Sequence, residues 1–275
     1  MALWVLAIVA IGLLGLFARR RLDLRADRSE MARLSAFQPS DPPRFSGDMV
    51  ADLPEPARRF FTFAIAEGTP LYTVARLKMQ GQFGMGDKSD PGYMPMRATQ
   101  VLAAPHGFVW AMSGGASGMR LSGSDSAKWT RFWIAGLAPV ARFGGSADHK
   151  RSAFGRYVAE AVFWTPAAVL PGPNVTWEPV STNIARMTMR HNGLEQAVDL
   201  TVAEDGRPEQ VRFLRWSNAN PQKRHRLQPF GGYLSEFREV EGFRLPTHVE
   251  AGNNFESEAY FPFYIADVTD IRFPR

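Results

Sequence analysis

The chain has 275 residues, a formal net charge of +5 and no cysteine. That length allows one large β domain or two small ones, and the missing thiols exclude disulfides, thiolate metal sites and cysteine nucleophiles. Stability has to come from packing, for which an apolar fraction of 45% is sufficient.

Residues 2–18, ALWVLAIVAIGLLGLFA, carry no charge. About 17 residues at 1.5 Å each span roughly 26 Å, close to a hydrocarbon core of about 30 Å, so an uncleaved, single-pass transmembrane anchor is predicted. A cleaved signal peptide would carry its positive charge before the apolar run and a small-x-small site after it. Here the arginines follow the run: Arg19, Arg20, Arg21, Arg25, Arg28 and Arg33 face only Asp23, Asp27 and Glu30. That cluster suits the lipid bilayer and its anionic headgroups as partner, and no nucleic acid. The positive-inside rule then places the soluble part on the cytoplasmic side of a bacterial inner membrane.

From Leu22 to Arg33 the pattern is helix-compatible, and Pro39, Pro42, Pro43 and Gly47 break it into a linker. The expected division is an anchor over 2–18, a juxtamembrane helix and linker over 19–51, and one β-rich domain over 52–275. Asp52-Leu-Pro-Glu-Pro opens a second helix, with Asp52 as its expected cap and prolines in the first turn. The period then changes to two. Leu77, Met79 and Phe83, then Phe108, Trp110 and Met112, then Trp129, Arg131 and Trp133 alternate with their neighbours, predicting four to six antiparallel strands between Leu71 and Phe143.

The stretch Asp148 to Leu170 has helical periodicity. Phe154, Tyr157, Val158, Ala161, Trp164 and Ala168 form one apolar stripe, off which Lys150, Gly155 and Arg156 lie. Seven strand-like segments follow, Val175–Glu178, Ile184–His191, Gln196–Ala203, Glu209–Trp216, Tyr233–Glu241, Phe243–Ala251 and Ala259–Phe273. Asn192-Gly193, Asp205-Gly206 and Glu241-Gly242 are hairpin turns, and residues 218–228 form a polar loop. Short connections imply antiparallel pairing. The fold class is α+β, mostly antiparallel: a curved sheet or half-barrel around a central helix, preceded by the transmembrane helix.

Signals for chemistry are sparse. The five histidines show no metal-pair spacing, and no metal or cofactor is expected. The run Gly114-Gly115-Ala116-Ser117-Gly118 lacks the Lys-Ser/Thr of a phosphate loop and reads as a β-turn. No G-x-S-x-G elbow is present. Glu160 is the best polar candidate. It lies one helical turn after Arg156 beside Tyr157, Phe163 and Trp164, where desolvation opposes its charge and the arginine favours it. An i,i+4 ion pair anchoring the helix accounts for it equally well. The basic loop Lys223-Arg224-His225-Arg226 suits phosphate or lipid headgroups, or is simply solvated.

Leu53-Pro54-Glu55-Pro56, the run Arg156-Tyr157-x-x-Glu160-Ala161 with Trp164, Pro166 and Leu170-Pro171, and Pro229-Phe230-Gly231-Gly232 leading to Phe243-Arg244-Leu245-Pro246-Thr247 resemble a family of uncharacterised bacterial membrane-anchored proteins. The resemblance covers roughly Leu53 to Phe273 and implies no activity. The C-terminal hairpin REVEGFRLPTHVEAG also resembles the lipoprotein-carrier (LolA-like) superfamily. That likeness implies an antiparallel half-barrel around helices with an apolar cavity for acyl chains. It also implies a periplasmic location, against the charge rule.

The leading expectation is an anchored protein that binds a lipid or other hydrophobic ligand. Its interior would be lined by Phe108, Trp110, Trp129, Trp133, Tyr157, Trp164, Phe213 and Tyr233, with Arg156 and Glu160 at the polar edge. The alternatives are an enzyme on a lipid-like substrate with Glu160 as acid or base, and a non-catalytic membrane scaffold with a filled interior.

Overall fold

The computed structural model describes residues 1–116 and 119–275. A first meander comprises β1 (Ala75–Gly84), β2 (Tyr93–Ala103), β3 (Gly107–Ala116), β4 (Met119–Ser126), β5 (Trp129–Ile134) and β6 (Ala138–Gly144). A second comprises β7 (Val175–Ser181), β8 (Ile184–His191), β9 (Leu194–Val202), β10 (Pro208–Ser217), β11 (Arg226–Val240), β12 (Phe243–Asn253) and β13 (Tyr264–Arg272). Among the described residues these thirteen strands form one open antiparallel sheet, ordered β6-β5-β4-β3-β2-β1-β13-β12-β11-β10-β9-β8-β7. The first and last strands, β1 and β13, meet in the middle. Of the glycine run expected as a turn, Gly114 to Ala116 belong to β3, while Ser117 and Gly118 lie outside the described residues.

Turn chemistry sets the second meander. Asn192 and Gly193 have φ of 49° and 76°, and Glu241 and Gly242 have 50° and 88°, the left-handed pair that matches strand twist in two-residue hairpins. The expected start of β11 at Tyr233 is seven residues late. Pro229 to Gly232 are within the strand because a side chain at Gly232 would collide with the Glu250 carbonyl of β12, 1.9 Å from an added Cβ. The polar loop is correspondingly shorter.

Helix α3 (Ala147–Trp164) joins the meanders. Ser146 caps it by accepting from the His149 N–H at 3.1 Å, and Thr165-Pro166 ends it before a short 3₁₀ turn over Pro166–Val169. The amphipathic stripe expected for this helix understates its burial. His149, Gly155, Ala159, Val162 and Phe163 are buried as well as the stripe, because the sheet curves around the helix. A β-carbon at Gly155 would lie 2.7 Å from Gln196 Oε1 and 3.4 Å from the Phe213 ring, so this glycine lets the helix backbone approach β9 and β10. Helix α2 (Glu55–Ala64) packs Phe60 and Phe61 against Trp177 of β7. Its N-cap is Pro54, not the expected Asp52, since the chain before it turns through a 3₁₀ segment, Gly47–Val50, capped by Ser46.

Helix α1 runs unbroken from Ala2 to Ser35. Its apolar first half touches nothing and leaves Leu3, Ile8, Ile11 and Leu14 exposed. Its second half lies on the convex face of the sheet. There Met31 and Leu34 pack with Val74, Val101 and Val109, and Asp23, Asp27 and Glu30 are buried. Asp23 accepts from Arg131 at 3.0 Å, from Arg142 at 2.5 Å and from Trp133 Nε1 at 2.9 Å. Asp27 accepts from Arg131 at 2.8 Å and from Ser124 at 2.7 Å, and Glu30 meets Lys128 at 2.7 Å. Arg19, Arg21, Arg25, Arg28 and Arg33 are left on the exposed side.

Replacing Asp23 with Ala leaves Arg142 and the Trp133 N–H without their partner and Arg131 with Asp27 alone, and should lower unfolding stability of the full-length protein in detergent by about 3 kcal/mol, read by urea titration. His248 of β12 lies 2.7 Å from Asp267 of β13 and 3.4 Å from Glu250. Burial opposes its protonation, but the two carboxylates outweigh burial and hold the imidazole above its ordinary pKa. Because the folded value is raised, this stabilisation is complete below the ordinary imidazole value near about 6.5 and fades as pH rises through the folded value. The thermal midpoint of the wild type should therefore fall across that window relative to His248→Gln, and a pH-independent difference would refute the assignment.

Candidate functional site

The sheet and α3 do not fill the space between them. A cavity of about 600 Å³ remains, walled by α3, the concave face of β5, and β10 to β13. Aromatic rings make up much of its wall: Phe83, Trp110, Phe132, Phe163, Trp164, Phe230 and Phe263. Its rim contains Phe143 and Ser146 on one side and Asn218, Ala219 and His225 on the other, all exposed.

One polar cluster sits in this apolar interior. Arg156 of α3 donates from Nη1 to Asp125 Oδ2 at 2.8 Å and from Nε to Glu160 Oε1 at 2.8 Å. Gln100 Nε2 donates to the other Glu160 oxygen at 2.6 Å, and Thr130 donates to Asp125 at 2.6 Å. The guanidinium also lies 4.7 Å from the Phe108 ring and 5.2 Å from the Trp110 ring. Burial opposes the charge of Arg156, but Glu160 and Asp125 prevail and hold it above its ordinary pKa. Both Glu160 oxygens are engaged, so this carboxylate is oriented by its neighbours and is not a free acid or base.

Arg215 is different. It extends from β10 into the same cavity, 5.0 Å over the Phe230 ring. Its buried Nε has no hydrogen-bond partner among the described residues. Burial, with Arg156 nearby, pushes its pKa down to about 10. Tyr264 is raised by burial and by Glu160, and His149 is lowered by burial against the opposing pull of Asp125. Among the described residues no group of three or more His, Asp or Glu converges as a metal site.

Of the residues expected to line the interior, Arg156, Glu160, Trp164, Trp110 and Phe213 are brought together around the cavity. Five are placed elsewhere. Phe108 and Tyr157 pack together in the core beside Phe154, and Tyr157 donates to the Pro105 carbonyl at 3.2 Å. Trp129 and Trp133 are on the convex face under α1, where Trp129 Nε1 donates to Ser124 at 3.0 Å and Trp133 to Asp23. Tyr233 is 44% exposed and packs outward on Phe255 and Tyr260. The error is one of phase. β5 is covered on both faces, so a period of two identifies its faces without saying which is concave.

The same alternation places Arg215. Val211, Phe213, Arg215 and Ser217 share one face of β10, and all four line the cavity. Once Phe213 points inward, Arg215 must too. Phe132 follows likewise from the outward Trp133. Asp125, Gln100, His149 and Tyr264 had no local signal, since each reaches the site from a separate element.

The chain belongs to a family of unknown function, DUF6544, whose profile matches residues 43–265. No curated protein matches it by sequence. Among solved structures it resembles a LolA superfamily protein from Nitrosomonas europaea, at 10% identity over 79% of this chain and 91% of that one, with a TM-score of 0.36. It also resembles a DUF1329 family protein from Desulfovibrio piger, at 11% identity over 73% and 85%, with a TM-score of 0.40.

Proposed function

We propose that this member of DUF6544 is a membrane-anchored binding protein whose half-barrel holds a lipid or other hydrophobic ligand beside the bilayer. The observation that carries the reading is the cavity itself: about 600 Å³, within the range of about 300–1,000 Å³ usual for small-molecule sites, walled by aromatic rings and crossed by one oriented polar cluster. Native interiors rarely leave such space. A scaffold with a filled core would have no reason to keep it, and the engaged Glu160 favours binding over acid–base turnover.

The placement beside a bilayer rests on α1. An apolar helix half exposed on every side requires a covering medium, and its length matches a hydrocarbon core. The remainder of the helix is bonded to the sheet, so the anchor and the half-barrel share one rigid element. The acids of this segment are turned into the sheet and Arg19, Arg21, Arg25, Arg28 and Arg33 outward, giving a polybasic flank suited to anionic headgroups. By the charge rule that flank and the half-barrel are cytoplasmic.

The full-length protein, purified in a non-ionic detergent, should carry a stoichiometric lipid by native mass spectrometry and solvent extraction. Ala159→Phe, which directs a ring into the cavity from α3, should lose that lipid and keep its thermal unfolding transition. A clean ligand-free mass for the wild type, unchanged after incubation with membrane lipids, would overturn the binding reading. For sidedness, the absence of cysteine makes Glu204→Cys, at an exposed turn, a unique reporter. A membrane-impermeant maleimide should label it in inverted membrane vesicles and not in intact spheroplasts, and the reverse pattern would place the domain outside.

A further inference from the structure

The ion pairs of the polar cluster leave out one arginine. Arg156 is shared between Asp125 and Glu160, so these three groups together carry one negative charge. Arg215 carries one positive charge in the same cavity, forms no ion pair among the described residues, and has a buried Nε without a partner. A buried guanidinium N–H without an acceptor is costly, and buried polar groups are normally hydrogen-bonded. Leaving one unpaired inside a 600 Å³ cavity points to a partner that is not part of the chain.

Its position along β10 defines how that partner lies. Val211, Phe213, Arg215 and Ser217 follow one another along the concave face, about 7 Å per alternate pair. Ser217 leads to Asn218 and Ala219 at the rim, whereas Phe213 and Val211 lead into the buried interior. Arg215 is thus one step inside the mouth, with only apolar wall beyond it on its strand. The rim is itself basic. His225 lines it, Lys223, Arg224 and Arg226 flank His225, and Arg151 stacks over Trp216 at 4.1 Å. Trp216 in turn donates to Asp148 at 2.7 Å, which also faces His225 at 3.6 Å.

We propose that the cavity takes a single-headed anionic amphiphile, its headgroup held by Arg215 just inside the basic rim and its hydrocarbon tail directed among Trp110, Phe132, Phe163 and Trp164. This rests on the reading of the cavity as a hydrophobic-ligand site. A single headgroup charge is favoured. Arg215 already balances the one net negative charge of Arg156, Asp125 and Glu160, so an anionic headgroup is met by the free donors of that guanidinium and by the basic rim, and the second charge of a dianionic phosphate monoester would face Asp125 and Glu160 in a low-dielectric site. A fatty-acid carboxylate and a lysolipid phosphodiester both satisfy this chemistry, since either oxyanion accepts from a guanidinium fork.

The test uses the full-length protein in maltoside micelles, in a Trp4→Phe background that removes the indole of the apolar anchor. Quenching of tryptophan fluorescence is titrated with three brominated probes of equal chain length: the fatty acid, the fatty alcohol and a lysophosphatidylglycerol. At least one anion should bind about tenfold or more tighter than the alcohol, and which anion does so identifies the headgroup. Arg215→Met should lower the affinity of that anion to the level of the alcohol and leave alcohol binding unchanged. Equal binding of acid, phosphodiester and alcohol by the wild type, or a preference that survives in Arg215→Met, would overturn the headgroup assignment while leaving the hydrophobic site intact. If none of the three probes quenches the wild type, the cavity reading itself fails and this inference with it. A ligand-free measurement separates structure from binding: Arg215→Met should unfold at the wild-type temperature or above it, because it removes a buried N–H without an acceptor. A lower midpoint, or failure to fold, would show that Arg215 is a structural residue and would refute the proposal.

Discussion

The architecture depends on one connection. β6 ends the first meander at one open edge of the sheet and β7 begins the second at the other, so the chain has to cross the full width of a thirteen-stranded sheet between residues 144 and 175. Eighteen helical residues cover about 27 Å, and the short path for them runs through the concavity. Once α3 lies there, its side chains from Ala153 to Trp164 are buried or half-buried on every side. The sheet has to curve to cover them, and Gly155 has to lack a side chain so that β9 and β10 can close on the helix. The curvature leaves a gap along α3, lined from Ser146 to Trp164. That gap is the cavity.

The convex face is organised by a different kind of contact. Most sheets of this type turn a polar face to water, but here part of the outer face is covered by the second half of α1. The contact is largely ionic, with three buried acids of one helix meeting arginine and lysine of β5, β6 and the turn before them. Such pairs contribute little net stability compared with an apolar contact, yet they specify register, because a helix shifted by one turn would leave several charges unpaired. The arrangement also separates most charges of α1. Its acids are paired with the sheet, and all its arginines except Arg20, which donates to Ser122 of β4, lie on the exposed side next to the apolar half of the helix.

Inside the cavity, the polar groups are arranged so that each answers to a neighbour from another element. Arg156 is oriented by Asp125 of β4 and Glu160 of its own helix, Glu160 by Gln100 of β2, and Asp125 by Thr130 of β5. A network with both oxygens of each carboxylate engaged is rigid. Arg215 stands apart from it, and the contrast between the two arginines distinguishes a structural centre from a group that awaits a partner.

Sequence alone determined what local patterns can encode. Residues 2–18 showed an apolar helix, strand periodicity and Asn-Gly or Glu-Gly turns showed two antiparallel meanders, and the segment from Asp148 showed the helix between them. The pairing of Arg156 with Glu160 was legible too, since four residues make one helical turn. What the sequence left open was which side of each strand faced the helix. Trp129 and Trp133 looked like interior residues and belong to the convex face, because α1 supplies a second apolar environment that no residue of β5 announces. Asp125, Gln100 and Tyr264 are far apart in the chain and meet Arg156 only when the sheet curves. Arg215 lay between: alternation with Phe213 fixed its direction, but only the tertiary structure, by leaving its buried Nε without a hydrogen-bond partner beside a largely apolar cavity, gave that direction a meaning.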